Sequence, residues 1–128
     1  MYKAKITREH RTAFIILCDR SGSMAEETRF GGQVMRKAEA VACIINMLLG
    51  ELIHRSRRDD GIRDYFDIAV LGYSGSGVQP LLPAGDRERF IGIGDLVRLP
   101  APVQQRRMLR TLPGGRQTAV EIGQRQWI

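Results

Sequence analysis

The first clear pattern along the chain is a solid apolar run, Phe14-Ile15-Ile16-Leu17-Cys18, that ends abruptly in Asp19-Arg20-Ser21-Gly22-Ser23-Met24. Consecutive apolar residues with polar flanks predict a strand over 13–18 buried on both faces, the habit of a central parallel strand in an α/β sheet. Further on, Val34, Ala38, Val41, Ala42, Ile45, Leu48, Leu49, Leu52 and Ile53 recur at three- and four-residue steps. That spacing predicts a long amphipathic helix over 33–57 with one broad buried face. His54, Arg55 and Arg57 fall in its last turn, where the helix dipole favours cations. After the Asp59-Asp60-Gly61 turn, YFDIAVLGY (65–73) predicts a second strand and 78–82 a short third. Ser74-Gly75-Ser76-Gly77 joins these two as an antiparallel hairpin.

The segments between and beyond these elements are less regular. Tyr2, Ala4 and Ile6 alternate with Lys3, Lys5 and Thr7, the pattern of an edge strand or an arm. The stretch 25–32, with Glu26, Glu27 and Gly31-Gly32, reads as a solvated loop or the acidic start of the helix rather than as a source of metal ligands. Past residue 82, prolines punctuate the chain; 86–93 and 93–97 read as short helices or turns, and Pro100-Ala101-Pro102 as extended backbone. Weak alternation over 118–127 predicts one more strand. Length allows one domain, 1–128, with core elements at about 13–82 and an irregular insertion over 83–128.

Composition changes this picture little. Hydrophobic content of 43% with 27% charged residues is that of an ordinary soluble globular protein, and no apolar run approaches the roughly 20 residues needed to cross a bilayer. The N-terminal segment lacks the apolar core of a secretory signal, so a cytoplasmic location is expected. Cys18 and Cys43 have no CxxC spacing and sit among apolar residues, so both are expected to be buried, reduced thiols. His10 and His54 have no ligand or nucleophile partner at a recognisable spacing and are expected on the surface. The net charge of +6 comes mostly from arginine. Apart from Arg55, Arg57, Arg58 and Arg106, Arg107, Arg110, the arginines are scattered, without interleaved aromatics, so nucleic acid is not the favoured partner.

Chemistry concentrates where the first strand ends. Asp19, Ser21 and Ser23 supply hard oxygen donors at alternate positions of one tight turn, at the carboxyl end of a strand where open α/β sheets bind ligands. Such donors suit Mg²⁺, Mn²⁺ or Ca²⁺ rather than zinc. Ser74-Gly75-Ser76 repeats the Ser-Gly-Ser element but lacks a preceding aspartate. An enzyme using Ser21 or Ser23 as nucleophile, or Asp19 as phosphoryl acceptor, is disfavoured: Ser21 stands where phosphotransferases carry a second aspartate, and no suitably placed lysine follows.

The segment FIILCDRSGSM, with the helix pattern after it, resembles the start of a von Willebrand factor type A domain and its metal-ion-dependent adhesion site. The resemblance implies a doubly wound, mostly parallel sheet with helices on both faces and an antiparallel edge hairpin. It also implies a non-enzymatic module whose divalent cation recruits an aspartate or glutamate from a partner protein. Asp19, Ser21 and Ser23 match the first three ligand positions of that site. The family's later threonine and second aspartate have no clear counterpart, Thr118 and Thr111 being the candidates for the threonine. The chain therefore reads as the first part of such a domain: a truncated product, a fragment, or a fold completed by another chain. The alternative within the same fold is a scaffold without metal.

Overall fold

The structure, a computed structural model, describes residues 11–82 and 90–128. The expected N-terminal strand or arm around Tyr2, Ala4 and Ile6, and the first half of the helix or turn expected over 86–93, lie outside the described residues.

The fold is mixed α/β. Strand β1 (Thr12–Asp19) runs into a 3-10 turn (Gly22–Ala25), then a small hairpin of β2 (Glu27–Phe30) and β3 (Gln33–Arg36), then helix α1 (Lys37–Ser56). A minimal hairpin, β4 (Arg57–Arg58) with β5 (Gly61–Ile62), turns the chain into β6 (Phe66–Ser74). Next come β7 (Gly77–Pro80), β8 (Ile91–Gly92), α2 (Ile93–Arg98), β9 (Val103–Thr111) and β10 (Gln117–Arg125).

The central sheet has the order β1-β6-β7, with β8 also on β6. Its β1–β6 pair is parallel, in register from Thr12 opposite Phe66 to Asp19 opposite Tyr73, and α1 is the crossover between them. The pairs β6–β7 and β6–β8 are antiparallel, so the sheet is mixed. The hairpin expected at Ser74-Gly75-Ser76-Gly77 is present, with Ser74 opposite Gly77.

The both-face burial expected of β1 belongs instead to β6, where Ile68, Ala69 and Val70 are all within 1% of full burial. In β1 burial alternates: Phe14, Ile16 and Cys18 turn toward the core, while Ile15 is 58% and Leu17 65% exposed. Among the described residues β1 pairs with β6 alone, so it is the edge of this sheet and β6 is its centre. An unbroken apolar run cannot tell a fully covered strand from one whose second face is open, because both keep apolar residues on both sides.

Helix α1 begins four residues later than its periodicity predicts, because Gly31 and Gly32, at φ 60° and 80°, form a tight two-residue turn that only glycine adopts without strain. That turn folds 27–36 into β2 and β3 and places Val34, expected on the helix's buried face, in a strand at 57% exposure. Within the helix Ile45, Leu49, Leu52 and Ile53 pack with Cys18, Ile68 and Val70 of the sheet and Ile93 and Leu96 of α2. Leu48, also expected to be buried, is 39% exposed. Both cysteines are buried and free, and His54 is exposed, as expected.

The strand expected over 118–127 is present as β10, and β9, in the stretch expected to be irregular, pairs with it as a long antiparallel ribbon. Strands β9 and β10 pair over all nine residues, from Val103 opposite Arg125 to Thr111 opposite Gln117. Its root is tied to both helices. Gln124 exchanges hydrogen bonds with Cys43, its Nε2 donating to the Cys43 carbonyl at 3.1 Å. Arg125 donates to the carbonyls of Val97 and Leu99, and its guanidinium stacks 4.6 Å over the Trp127 ring. Asn46, 2% exposed, accepts from the amides of Trp127 and Ile128 and donates to the Ile128 carbonyl. No helix among the described residues is long and apolar enough to cross a membrane.

Candidate metal site

Strand β1 delivers Asp19 to the carboxyl end of the parallel β1–β6 pair, and the amide of Arg20 still bonds the Tyr73 carbonyl at 2.8 Å. The chain then turns immediately. The Asp19 carboxylate accepts from the amide of Ser21, Oδ1 to N at 2.8 Å, a bond across two residues that folds the backbone back on itself. The amides of Met24 and Glu26 close the following 3-10 turn onto the carbonyls of Ser21 and Ser23. This local bonding brings the Ser21 and Ser23 hydroxyl oxygens to 3.1 Å from each other, on an exposed surface.

The donor set fits a hard divalent cation. Adjacent oxygens of an octahedral Mg²⁺ shell, at about 2.0–2.1 Å from the ion, lie about 2.9 Å apart. The Ser21–Ser23 spacing of 3.1 Å is close to that edge. The Ser21 amide, and secondarily its hydroxyl, hold the Asp19 carboxyl below the usual carboxylate range. An aspartate is ionised at neutral pH in any case, and these bonds favour that form, the one a cation requires, further. Among the described residues no three His, Cys, Asp or Glu side chains gather into a metal-binding group, so a cation here would rest on one carboxylate and two neutral hydroxyls.

A cavity of about 480 Å³ opens beside the turn, lined by Asp19, Arg20, Ser21, Met24, Ala25, Arg36 and Ile128 among others. The two arginines were not signalled by any motif. Arg36 reaches the cavity because the β2–β3 hairpin ends beside the turn. Arg20 lies across Gly72, where a Cβ would stand 2.6 Å from Arg20 Cδ, so a larger residue there would push the Arg20 side chain aside. Burial pushes the neighbouring Cys18 thiol up from its ordinary value, so it stays protonated and is not a donor.

The remaining candidates lie elsewhere. Thr118 is exposed in β10 opposite Arg110, Thr111 stands opposite Gln117, and neither lines the cavity. Glu26 is engaged with Lys37 at 3.0 Å, and Glu27 is in strand β2 opposite Arg36. The second Ser-Gly-Ser forms the β6–β7 turn, Ser74 Oγ and Ser76 Oγ standing 3.0 Å apart. Because β6 runs parallel to β1, it sits at the same sheet edge as the Asp19 turn, and Arg20 borders it. Comparison with family models, with curated proteins and with solved structures returns no match.

Proposed function

We propose that the Asp19, Ser21 and Ser23 turn holds a divalent cation, Mg²⁺ or in its place Mn²⁺ or Ca²⁺, and that the bound ion recruits an aspartate or glutamate side chain of a partner protein. The observation that carries this reading is the pair of hydroxyls 3.1 Å apart beside an ionised carboxylate at a parallel-strand end. One carboxylate neutralises only part of a doubly charged ion, so the remainder attracts an external anion. Three protein oxygens leave the other coordination positions to water and to that anion, which suits an ion that gives up its waters reluctantly. Arg20 and Arg36, on the wall of the adjoining cavity, add positive charge on the side from which an acidic side chain would enter.

The same reading takes the fold as the first part of a doubly wound sheet of the von Willebrand factor type A kind. It is supported by the β1–α1–β6 crossover, the β6–β7 edge hairpin and the placement of the Asp-x-Ser-x-Ser turn. On this reading the module is a binding unit rather than an enzyme, with the Ser21 and Ser23 hydroxyls hydrogen-bonded to each other.

Water-proton relaxation of the Mn²⁺-loaded protein tests the recruitment step. Added glutarate is expected to displace metal-bound water and lower the relaxivity at millimolar concentration. A relaxivity indifferent to the carboxylate would contradict it.

A further inference from the structure

We infer that the β9–β10 ribbon is a docking surface for duplex DNA. Residues 103–125 carry five arginines against one glutamate, a net +4 out of +6 for the whole chain. The sequence spreads these charges over 23 positions, but the fold gathers them on one two-stranded ribbon whose strands pair over nine residues. At about 3.3 Å per residue the ribbon is about 30 Å long.

Its root and its outer part differ. At the root, Gln124 and Arg125 are spent on α1, α2 and Trp127. Along the outer part Arg107, Arg110 and Arg116 are exposed. Arg107 and Arg110 are three positions apart in one strand and so point to opposite faces, and Arg116 stands in the turn at the tip. That turn is closed by Leu112 and Arg116, amide to carbonyl at 2.6 Å, so the tip is built rather than loose. The second hairpin meets the ribbon where Gly32 abuts the Leu109 side chain, and it brings a further exposed arginine, Arg29.

The shape chooses among polyanions. A B-form major groove, about 12 Å wide, admits a two-stranded ribbon, whose long arginine side chains then lie within reach of the phosphates that line the groove. The A-form major groove of duplex RNA is too narrow for it. Residues 103–125 contain no Phe, Tyr or Trp, so the ribbon lacks the stacking platform of a single-strand binder and the aromatic anchors of a membrane-surface segment. The contacts available are to phosphate, so the binding is expected to be indifferent to sequence and steeply dependent on salt.

Fluorescence anisotropy with a labelled 20-base-pair duplex, over a salt series from 50 mM, reads this directly. The parent protein is expected to bind at 50 mM salt, and the triple variant R107A/R110A/R116A to lose about three units of slope in log Kd against log salt. The triple lysine variant, which keeps the charges, is expected to hold the parent slope and excludes a folding defect as the cause. Asp19→Ala is expected to bind like the parent, which separates this surface from the metal turn. Absence of binding at 50 mM, an unchanged slope in the triple alanine variant, or binding to phosphatidylserine vesicles without binding to the duplex would overturn the proposal.

Discussion

At the scale of single residues, the Asp19 turn rests on one backbone bond. Because the Ser21 amide is the larger cause of the depressed Asp19 acidity, Ser21→Ala removes the smaller, hydroxyl share only. Carboxyl NMR titration of the metal-free protein is expected to find Asp19 below the usual carboxylate range in the parent, and partly restored toward it in Ser21→Ala. The sign follows from linkage: a group held lower in the folded chain contributes stability above its unfolded value, about 3.9, and loses it as pH falls through the folded one. An Asp19 that titrates at the ordinary value would contradict the bond from the Ser21 amide to its carboxylate. Asn46 makes a different kind of prediction. It satisfies two amides and one carbonyl at the chain's last residues from a buried position, so Asn46→Ala is expected to cost about 2 kcal/mol in urea unfolding.

At the scale of elements, periodicity identifies α1 because it buries one face, and the β6–β7 hairpin is legible from the apolar run of β6 and the Ser-Gly turn after it, β7 itself being exposed throughout. It misplaces the start of α1. Val34 continues the helical pattern by spacing alone, yet the Gly31-Gly32 turn converts its segment into a strand. Local turn chemistry wins there because one exposed valine offers the helix no burial to offset it. Of the ribbon, alternation marked β10, while β9 escaped notice for a related reason. Strand β9 has polar or charged side chains at most positions and is exposed along most of its length, so no alternation marks it. Pairing with β10, not burial, makes it a strand. Leu49, fully buried at the centre of α1, carries the element's packing, and Leu49→Ala is expected to destabilise the fold by about 3 kcal/mol in denaturant unfolding. A cost below 1 kcal/mol would mean that α1 does not pack on the sheet as described.

For the whole molecule, the second face of the sheet is only partly covered among the described residues. Ile15 and Leu17 of β1, Tyr73 of β6 and Val78 of β7 are all exposed, at 58%, 65%, 43% and 49%. The register aligns Leu17 with Leu71, Asp19 with Tyr73 and Tyr73 with Val78, so exposed apolar side chains of three neighbouring strands share this face beside β1, the edge strand among the described residues. Such surfaces drive association. Light scattering is expected to find concentration-dependent self-association of the parent, relieved by Ile15→Thr with Leu17→Lys while the helical circular dichroism is kept. The location of the Asp19 turn was legible in the sequence because Asp19, Ser21 and Ser23 fall within five consecutive residues. Its surroundings were not: Arg20 and Arg36 meet at the cavity only through the fit over Gly72 and the β2–β3 hairpin.

The central claim is that the turn after β1 binds a divalent cation through Asp19, Ser21 and Ser23. Isothermal titration of Mg²⁺, and separately Mn²⁺, into chelator-treated protein measures it most directly. A single saturable site is predicted, abolished in Asp19→Ala and weakened roughly tenfold, about 1.4 kcal/mol, in Ser21→Ala and Ser23→Ala. Heats no larger than dilution in the parent, or a site that survives Asp19→Ala unchanged, would contradict it.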